Sequence, residues 1–399
     1  MVMGMPLPIS AQQPETSRTL TPALLGVMWL ALGGFGTFFL TYATLIITGQ
    51  HMGLSPVTAG TVLTIMMVAV VVVQPVVPAL NARLGARATF LIAIGLQTLG
   101  YVLTLVMPDP FAALLTGSGV SGLGFGILVV IGTAVVPATV PPDRLGRALG
   151  FYGATTASAT AIGAPLGLWL ITVLSTTQVR WVCVVVLLLA LPAVVAVPAR
   201  RVTEQTGPHA KQGQHTRAVG GMQVAGLLAV LLPTAFVLTV FGLVLAFGPA
   251  ADGASSAWYI AAMQGLVIAG RFLASASLDR YAPATVMVTG LAITLVGLVF
   301  AAVLPAGWPL LVAMGVLGFG TGSVQSASLL LAFRQAGSPN RGSVAWNMTF
   351  DIGLGFAGLV GGIGFTVWGA ETTYLLCAAV VLITGCVFAW YFRSHRQHQ

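Results

Sequence analysis

Charged residues are scarce in this sequence. Of its 399 residues, 16 are basic and 8 are acidic, so that only 6% carry a charge, whereas soluble globular proteins carry about 25%. Hydrophobic residues make up 57% of the chain, and the mean hydropathy is +0.98. The shortage of charge excludes a soluble globular domain and predicts an integral membrane protein.

The sequence lacks the residues that several classes of protein need for their chemistry. The single lysine, Lys211, follows Ala210, so the sequence has no Gly-Lys-Ser/Thr phosphate loop and predicts no ATPase of its own. Three cysteines within apolar runs indicate neither a disulfide framework nor a metal site. The five histidines lie outside the apolar runs or at their ends, which excludes an intramembrane haem. We therefore predict a protein that is not an enzyme and that holds neither cofactor nor metal.

Long apolar runs dominate the rest of the chain. A helix needs about 20 apolar residues to cross the hydrocarbon core, and backbone groups in lipid must pair internally. Twelve runs meet this length, and we number them span 1 to span 12 in chain order. Their predicted cores are 22–48, 57–80, 88–107, 111–136, 148–173, 180–198, 220–247, 255–278, 285–304, 308–333, 344–368 and 373–393.

The basic residues predict how these spans cross the membrane, because cytoplasmic loops hold the excess of Lys and Arg. With the N-terminus in the cytoplasm, 14 of the 16 basic residues fall on the cytoplasmic side. Arg180 falls on the other side, and Arg271 lies within span 8. The basic residues are spread over short turns rather than gathered on one face, which does not favour a nucleic-acid partner. Both chain ends are therefore expected in the cytoplasm.

A polar insert near the middle divides the chain into two halves of six spans. The halves share a weak repeat, because "GLGFG" at 122–126 and "VLGFG" at 316–320 are 194 residues apart, as are Arg147 and Arg341. Many secondary transporters consist of two such halves with the substrate site between them. The predicted units are an N-terminal tail over 1–20, a six-helix bundle over 21–198, a cytoplasmic linker over 199–219, a second bundle over 220–393 and a C-terminal tail over 394–399.

The loop between spans 2 and 3 carries a family resemblance. "PALNARLGAR" at 78–87 resembles the Gly-x-Leu-x-Asp-Arg-x-Gly-Arg-Arg loop of the major facilitator superfamily, and it matches at Leu80, Arg83, Gly85 and Arg87 but lacks the acidic residue. The resemblance covers essentially the whole chain after the N-terminal tail. It implies an all-α membrane protein with twelve transmembrane helices in two pseudo-symmetric six-helix bundles. In such a protein Arg83, Gly85 and Arg87 would belong to a gate.

The loop between spans 8 and 9 resembles the same element in the second half. "GRFLASASLDRY" at 270–281 retains Arg271, Asp279 and Arg280. The resemblance implies that Asp279 and Arg280 form an ionic latch that holds helix ends in one state and releases them in another. Arg280 could equally serve only as a topology signal.

Span 5 contains a second element of the resemblance. Gly163, Pro165 and Gly167 in "ASATAIGAPLGLWL" resemble the Gly-Pro-x-x-Gly-Gly element of proton-coupled antiporters, with the order altered. Small residues and a proline would suit a hinge between the halves, and ordinary tight packing is the alternative. The arginine that proton-coupled drug exporters carry in span 4 is replaced by Ser118, so proton coupling through that position is excluded.

Span 11 keeps an acid well inside an apolar run, where an unpaired charge is costly. Asp351 lies eight residues after Ser343, and Arg271 lies eight residues before Asp279, so both are roughly 12 Å from the cytoplasmic edge. The two side chains are expected to pair or to line one aqueous cavity. Asn347, one turn before Asp351, shares its helix face. We predict that Asp351, Arg271 and Asn347 couple transport to protons; a structural acid that never titrates is the alternative.

Polar and aromatic side chains in the spans that line the pathway, by the same resemblance, are candidates for substrate binding. Each could equally form a helix–helix hydrogen bond. A cavity with so few carboxylates favours neutral or amphipathic substrates. The candidates are Thr41, Tyr42, Tyr152, Thr155, Tyr259, Gln264 and Gln325.

The "N-x-x-x-D-x-G" pattern that begins at Asn347 resembles a group of bacterial efflux permeases within the superfamily. We therefore predict a monomeric inner-membrane permease that exports small organic molecules in exchange for protons, by alternating access. The alternatives are a proton-coupled uptake symporter for a small nutrient, and a membrane subunit that needs a separate ATPase.

Overall fold

The computed structural model describes residues 20–141, 144–199, 221–249, 253–278, 280–336 and 339–394. Every regular element in these ranges is helical, and twelve helices are long and apolar enough to cross a membrane. They confirm the twelve predicted spans. The bounds of spans 1 to 12 are Pro22–His51, Pro56–Leu84, Ala86–Val106, Pro110–Ala138, Arg147–Val173, Thr176–Ala196, Val224–Phe247, Ser256–Ser277, Pro283–Val303, Trp308–Gln335, Arg341–Val367 and Gly369–Ser394.

Part of the predicted organisation lies outside the described residues. Nearly all of the two predicted tails lies outside these residues, as does nearly all of the linker predicted over 199–219. Asp279 lies outside them as well. The proposed division into 21–198 and 220–393 therefore remains a proposal that rests on the contacts between spans.

Local sequence sets where several spans begin. The Thr21 hydroxyl accepts a hydrogen bond from the third residue after it, and Pro22 occupies the first helical position. Ser55 and Pro56 start span 2 in the same way, and the Asp109 carboxylate caps span 4. A capping side chain satisfies a backbone N–H that the helix leaves free, and proline has no N–H to satisfy. These starts can therefore be read from the sequence.

Span 2 is interrupted before it reaches its end. Its α-helix Pro56–Val73 gives way to a 3₁₀ turn, Gln74–Val76, before a short α-helix, Val77–Leu84, completes the span. Pro75 and Pro78 cause the interruption, because neither can donate a backbone hydrogen bond to the preceding turn. Gln74 is the first residue of this turn.

The twelve spans form two sets with the same internal contacts. An even number of spans places the start of span 1 and the end of span 12 on one side of the membrane, which we call the terminal face; the other side is the opposite face. In the first half, span 1 packs on spans 5 and 6, span 4 on spans 2 and 3, and span 3 on span 6. In the second half, spans 7 to 12 repeat each of these contacts. The halves meet where span 2 contacts span 11, span 5 contacts span 8, and span 1 contacts span 7.

The outer surface of the two sets is apolar. Large side chains such as Trp258 and Phe272 are 74% and 75% exposed, and they suit a lipid environment rather than water. Exposed apolar side chains occur on most spans. The membrane assignment made from composition therefore agrees with the distribution of side chains in the fold.

Arg180 lies elsewhere than the sequence predicts. We expected it in an outer loop, at the edge of a span beginning at residue 180, but a capping box at Ser175 starts span 6 at Thr176. Arg180 is therefore inside the helix and only 4% exposed. Its guanidinium carbon lies 5.9 Å from the centre of the Tyr101 ring, and its Nη2 atom has no hydrogen-bond partner among the described residues. Counting positive charges does not reveal a buried arginine.

Candidate functional site

A cavity of about 240 Å³ lies between the two halves. Spans 1, 4 and 5 line it from one half and spans 7, 8, 10 and 11 from the other. Thr133 lies near the end of span 4 and Tyr152 near the start of span 5, and both of these helix ends are at the terminal face. The cavity therefore lies between the middle of the membrane and the terminal face.

The halves close against each other on the opposite-face side of this cavity. A side-chain carbon at Gly60 of span 2 would clash with the backbone oxygen of Gly358 in span 11. The Thr64 hydroxyl donates a hydrogen bond of 2.7 Å to the carbonyl oxygen of Gly355. Gly355, Gly358 and Gly362 of span 11 all pack against span 2 in this region. Close backbone approach needs residues without side chains.

Two further hydrogen bonds join the halves. The Tyr42 hydroxyl of span 1 donates to the carbonyl oxygen of Leu354 in span 11 at 2.8 Å. The Gln264 amide nitrogen of span 8 donates to the carbonyl oxygen of Thr160 in span 5 at 3.1 Å. Both side chains are buried, so water does not compete strongly with these bonds. The described contacts thus seal the cavity from the opposite face.

Aromatic rings form much of the cavity wall. Phe125 stacks on Phe38 with ring centres 3.6 Å apart, and the Trp346 and Phe350 ring centres are 5.6 Å apart. The Trp346 indole nitrogen donates to the Ser328 hydroxyl at 2.9 Å, which fixes the ring. Such a wall offers flat apolar surface to an organic molecule. The rings that line the cavity are Phe35, Phe39, Phe125, Tyr152, Phe241, Trp346 and Phe350.

Asp351 lines this cavity and bonds across the interface between the halves. Its side chain is 6% exposed, and its carboxylate oxygen Oδ2 accepts a hydrogen bond of 2.6 Å from the Gln74 amide nitrogen. Gln74 comes from the interrupted part of span 2. A carboxylate taken from water needs such a partner. The interruption of span 2 thus positions the Gln74 amide that donates a hydrogen bond to the buried Asp351 carboxylate.

Arg271 lines the same cavity as Asp351. Both side chains lie in the part of the chain that the structure describes, and neither a hydrogen bond nor an ion pair joins them. The sequence predicted that Asp351 and Arg271 would either form a pair or line one cavity. The structure shows them lining one cavity. The Arg271 carbonyl oxygen accepts a hydrogen bond from the Ser326 hydroxyl at 3.1 Å, which ties span 8 to span 10.

Asn347 and Gln325 add amide groups to the cavity wall, which Gln264 also lines. Asn347 lines the cavity, and its amide nitrogen donates to the carbonyl oxygen of Ser343 at 2.9 Å. The Gln325 amide nitrogen is buried without a hydrogen-bond partner among the described residues, and Gln325 also lines the cavity. The three residues predicted for proton coupling, Asp351, Arg271 and Asn347, therefore line the same cavity.

The structure brings together three of the seven residues predicted for substrate binding: Tyr152, Gln264 and Gln325 line the cavity. The other four lie elsewhere. Thr155 is half-buried and does not line the cavity, and its hydroxyl donates to the carbonyl oxygen of Phe151. The Tyr259 hydroxyl accepts a hydrogen bond from the Gly307 nitrogen at the opposite face.

The remaining two of the seven, both in span 1, are also away from the cavity. Thr41 lies 3.8 Å from the Cys183 sulfur, in the interior of the first half. Tyr42 joins the halves through its bond to Leu354. Both make the helix–helix contacts that the sequence left as the alternative.

The residues predicted for gating occupy several places. Arg87 donates to the carbonyl oxygens of Val195 and Val197, so it ties spans 3 and 6 of the same half together. Gly85 has φ +83° and connects the short last helix of span 2 to span 3. Arg83 and Arg280 are exposed at the terminal face.

In span 5 the predicted hinge residues face span 1 of their own half. A side-chain carbon at Gly163 would lie 2.6 Å from the Gly36 carbonyl oxygen, and one at Gly167 would lie 2.8 Å from the Leu40 carbonyl oxygen. Pro165 lies inside the helix between them. This placement corresponds to tight packing within a bundle, the alternative that the sequence left open.

Sequence reasoning missed Gln74 and the aromatic wall. Gln74 is the single polar residue in "IMMVAVVVVQPVVPAL", residues 65–80, and it precedes Pro75. A lone polar residue beside a helix break in a membrane span is a usable signal. The phenylalanines carried no such signal, because rings are common on lipid-facing surfaces as well.

The described part of the chain forms twelve apolar helices in two equivalent sets, with a polar and aromatic cavity between the sets. This is the architecture of a secondary transporter. A sequence profile described as Major Facilitator Superfamily matches residues 24–345. The chain therefore belongs to this superfamily, as the loop motifs predicted.

Similar proteins fit this assignment. The multidrug resistance protein Stp of Mycobacterium tuberculosis is 33% identical over 146 residues, which span 35% of this chain and 27% of that relative. The chain thus spans about a quarter of that relative's length. A crystal structure of a bacterial homologue of the human lysosomal transporter Spinster has a TM-score of 0.74 at 15% identity, over 93% of this chain and 96% of the other. That of the D-xylose–proton symporter has a TM-score of 0.70 at 12% identity, over 92% and 96%.

Proposed function

We propose that this protein is a proton-coupled exporter of small neutral or amphipathic organic molecules. In this proposal it works as a monomer in the bacterial inner membrane, with the terminal face in the cytoplasm. The cavity binds the substrate, and rocking of the two bundles exposes it to one face at a time. The observation that carries the proposal is the position of Asp351, whose carboxylate lines the cavity and bonds across the interface between the halves.

Exchange of a substrate for a proton requires that the two exclude each other. A hydrogen-bond donor on a substrate that binds the Asp351 carboxylate prevents its protonation, and a protonated carboxyl group loses its attraction for that donor. The Gln74 amide can donate to the carboxylate or accept from the carboxyl group, so it can partner both forms. Asp351 is in this way suited to bind either a proton or a substrate.

The cavity wall supports the substrate class. Aromatic rings provide stacking surface, while Gln325, Arg271 and Asn347 provide a few polar groups. A site of this kind binds amphipathic molecules through apolar contact and fixes their orientation through polar contact. The likeness to Stp, a multidrug resistance protein, favours export over uptake.

Transport in proteoliposomes tests the proposal. We would reconstitute the full chain, impose a pH gradient and follow two probes, the neutral aromatic chloramphenicol and the amphipathic dye Hoechst 33342. We expect movement of at least one probe against the direction of proton flow. Movement with the protons would indicate the uptake symporter, and transport that needs ATP at a fixed gradient would indicate a subunit of an ATPase.

The Asp351→Asn variant tests the coupling residue. We expect gradient-driven movement to fall to the level of empty liposomes, while exchange of labelled for unlabelled probe without a gradient continues. Asp109→Asn is the matched control, because Asp109 caps span 4 outside the cavity. Full gradient-driven transport by Asp351→Asn would remove this residue from the coupling mechanism.

A further inference from the structure

A crevice on the lipid-facing side of the second half lies apart from the central cavity. It runs between spans 9 and 12 and consists of two adjoining hollows of about 170 Å³ each, which share Val288 and Ala389. One hollow begins at the terminal face beside Arg393. The other continues toward the middle of the membrane beside Leu295 and Val381. We call the two together the 9–12 crevice.

The length of this crevice equals the depth of one lipid leaflet. Thr285 at the terminal-face end and Leu295 at the inner end are ten residues apart on one helix, which is about 15 Å along its axis. The hydrocarbon core is about 30 Å thick, so one leaflet contributes about half of it. Leu291 and Leu382 line the inner part, and Gly385 keeps it open because it has no side chain. The inner part therefore suits one acyl chain.

The mouth of the crevice carries hydrogen-bond donors without partners. Arg393, Thr285 and Thr289 line the hollow at the terminal face. None of the three side chains has a hydrogen bond or an ion pair within the described part of the chain. Thr294, deeper in the same span, instead donates to the carbonyl oxygen four residues before it at 2.9 Å. A cation and two free hydroxyls at the membrane surface complement a phosphate group.

We propose that the 9–12 crevice binds a phospholipid with an anionic headgroup from the leaflet at the terminal face. The phosphate group lies at Arg393, Thr285 and Thr289, and one acyl chain follows the crevice inward. Thr285 and Thr289 also line a hollow of about 260 Å³ between spans 8, 9 and 10. The second acyl chain occupies that hollow, so the lipid straddles span 9. The site is independent of the transported substrate and of the direction of transport.

Native mass spectrometry of the purified full chain tests this site. We would add dioleoyl phosphatidylglycerol or dioleoyl phosphatidylcholine to the protein in detergent and measure the fraction of protein that retains one lipid. We expect tighter retention of phosphatidylglycerol. Arg393→Gln should weaken its binding about five-fold, the effect expected for one basic residue at a membrane surface. Arg334→Gln, which removes an exposed charge at the same face, is the matched control.

The apolar part is tested by filling the crevice. Gly385→Leu should reduce retention of both lipids, whereas Gly95→Leu, an exposed glycine with no atom near its added side chain, should not. Equal retention of the two lipids by the parent protein would overturn the headgroup assignment. Unchanged retention by Arg393→Gln would overturn the site, and because Arg393 is exposed this variant remains informative if Gly385→Leu fails to fold.

Discussion

The bond between Gln74 and Asp351 ties a helix interruption to a buried acid. Two prolines produce the 3₁₀ turn Gln74–Val76 in span 2, and this turn presents the amide to span 11. A hydrogen bond to a charged group typically contributes about 1.5 to 3 kcal/mol. The bond also joins the two halves, on the terminal-face side of the contact between Gly60 and Gly358. One residue pair thus contributes both to stability and to the proposed coupling.

Removing the Gln74 amide should destabilise the protein only in a background that retains Asp351. We expect Gln74→Leu to lower the free energy of unfolding by about 2 kcal/mol, because the carboxylate loses its partner. In an Asp351→Leu background the same substitution should cost little, since no buried carboxylate remains. Thermal unfolding of the four proteins in detergent measures this double-mutant cycle.

Gln50→Leu is the control for this cycle, because Gln50 is exposed in the last turn of span 1. It should leave the unfolding temperature unchanged. Equal effects of Gln74→Leu with and without Asp351 would contradict the interpretation.

Single residues also show the limits of sequence reasoning. Asp351, Arg271 and Asn347 were predicted from charge and helical spacing, and they line one cavity. Gln74 lies 277 positions before Asp351, and nothing local in the sequence connects the two. Tyr42 and Tyr259 were equally plausible candidates by residue type, yet both hydroxyls bond to backbone at helix contacts. Residue type identifies candidates, and only packing selects among them.

Among the helices, spans 2 and 11 determine which face is closed. Gly60 and Gly358 allow the two backbones to touch on the opposite-face side, while Gln74 and Asp351 meet beside the cavity. Spans 5 and 8 form the equivalent contact between the halves, with span 5 from the first half and span 8 from the second. Gln264 of span 8 bonds to span 5 there. Small residues at such contacts permit an approach that larger ones prevent.

A large side chain at this contact should block the cycle. We expect Gly358→Leu to abolish transport while the protein still reaches the membrane, because the opposite face can no longer close as it does here. Transport in proteoliposomes, together with the amount of protein in membranes, measures the effect. Gly265→Leu is the control, since Gly265 is exposed and its added side chain would meet no other atom. Normal transport by Gly358→Leu would show that this closure is not required.

Over the whole molecule, the distribution of basic residues predicts that the terminal face is cytoplasmic. Alkaline phosphatase is active only outside the cytoplasm, where its disulfides form. We expect fusions after Gly53 and Gly307, at the opposite face, to be active in bacterial cells. Fusions after Gly85 and after Ser394, both at the terminal face, should be inactive. An active fusion at Gly85 would show that the terminal face lies outside the cytoplasm, which contradicts the predicted orientation and the proposed direction of transport.

The sequence by itself determined the membrane environment, the twelve spans and the two equivalent halves. These follow from the length and spacing of apolar runs, since a span must satisfy its backbone internally whatever it packs against. Even the starts at Thr21 and Ser55 are local. The start of span 6, predicted at residue 180, instead follows a capping box at Ser175, which places Arg180 inside the helix.

Only the tertiary structure decided which polar groups meet. The cavity, the bond from Gln74 to Asp351, the separation of Asp351 from Arg271 and the 9–12 crevice all depend on how helices distant in sequence lie against one another. In lipid every span is apolar on most faces, so apolar periodicity does not say which face turns toward a partner. That choice comes from close packing of small residues and from the pairing of the few polar ones.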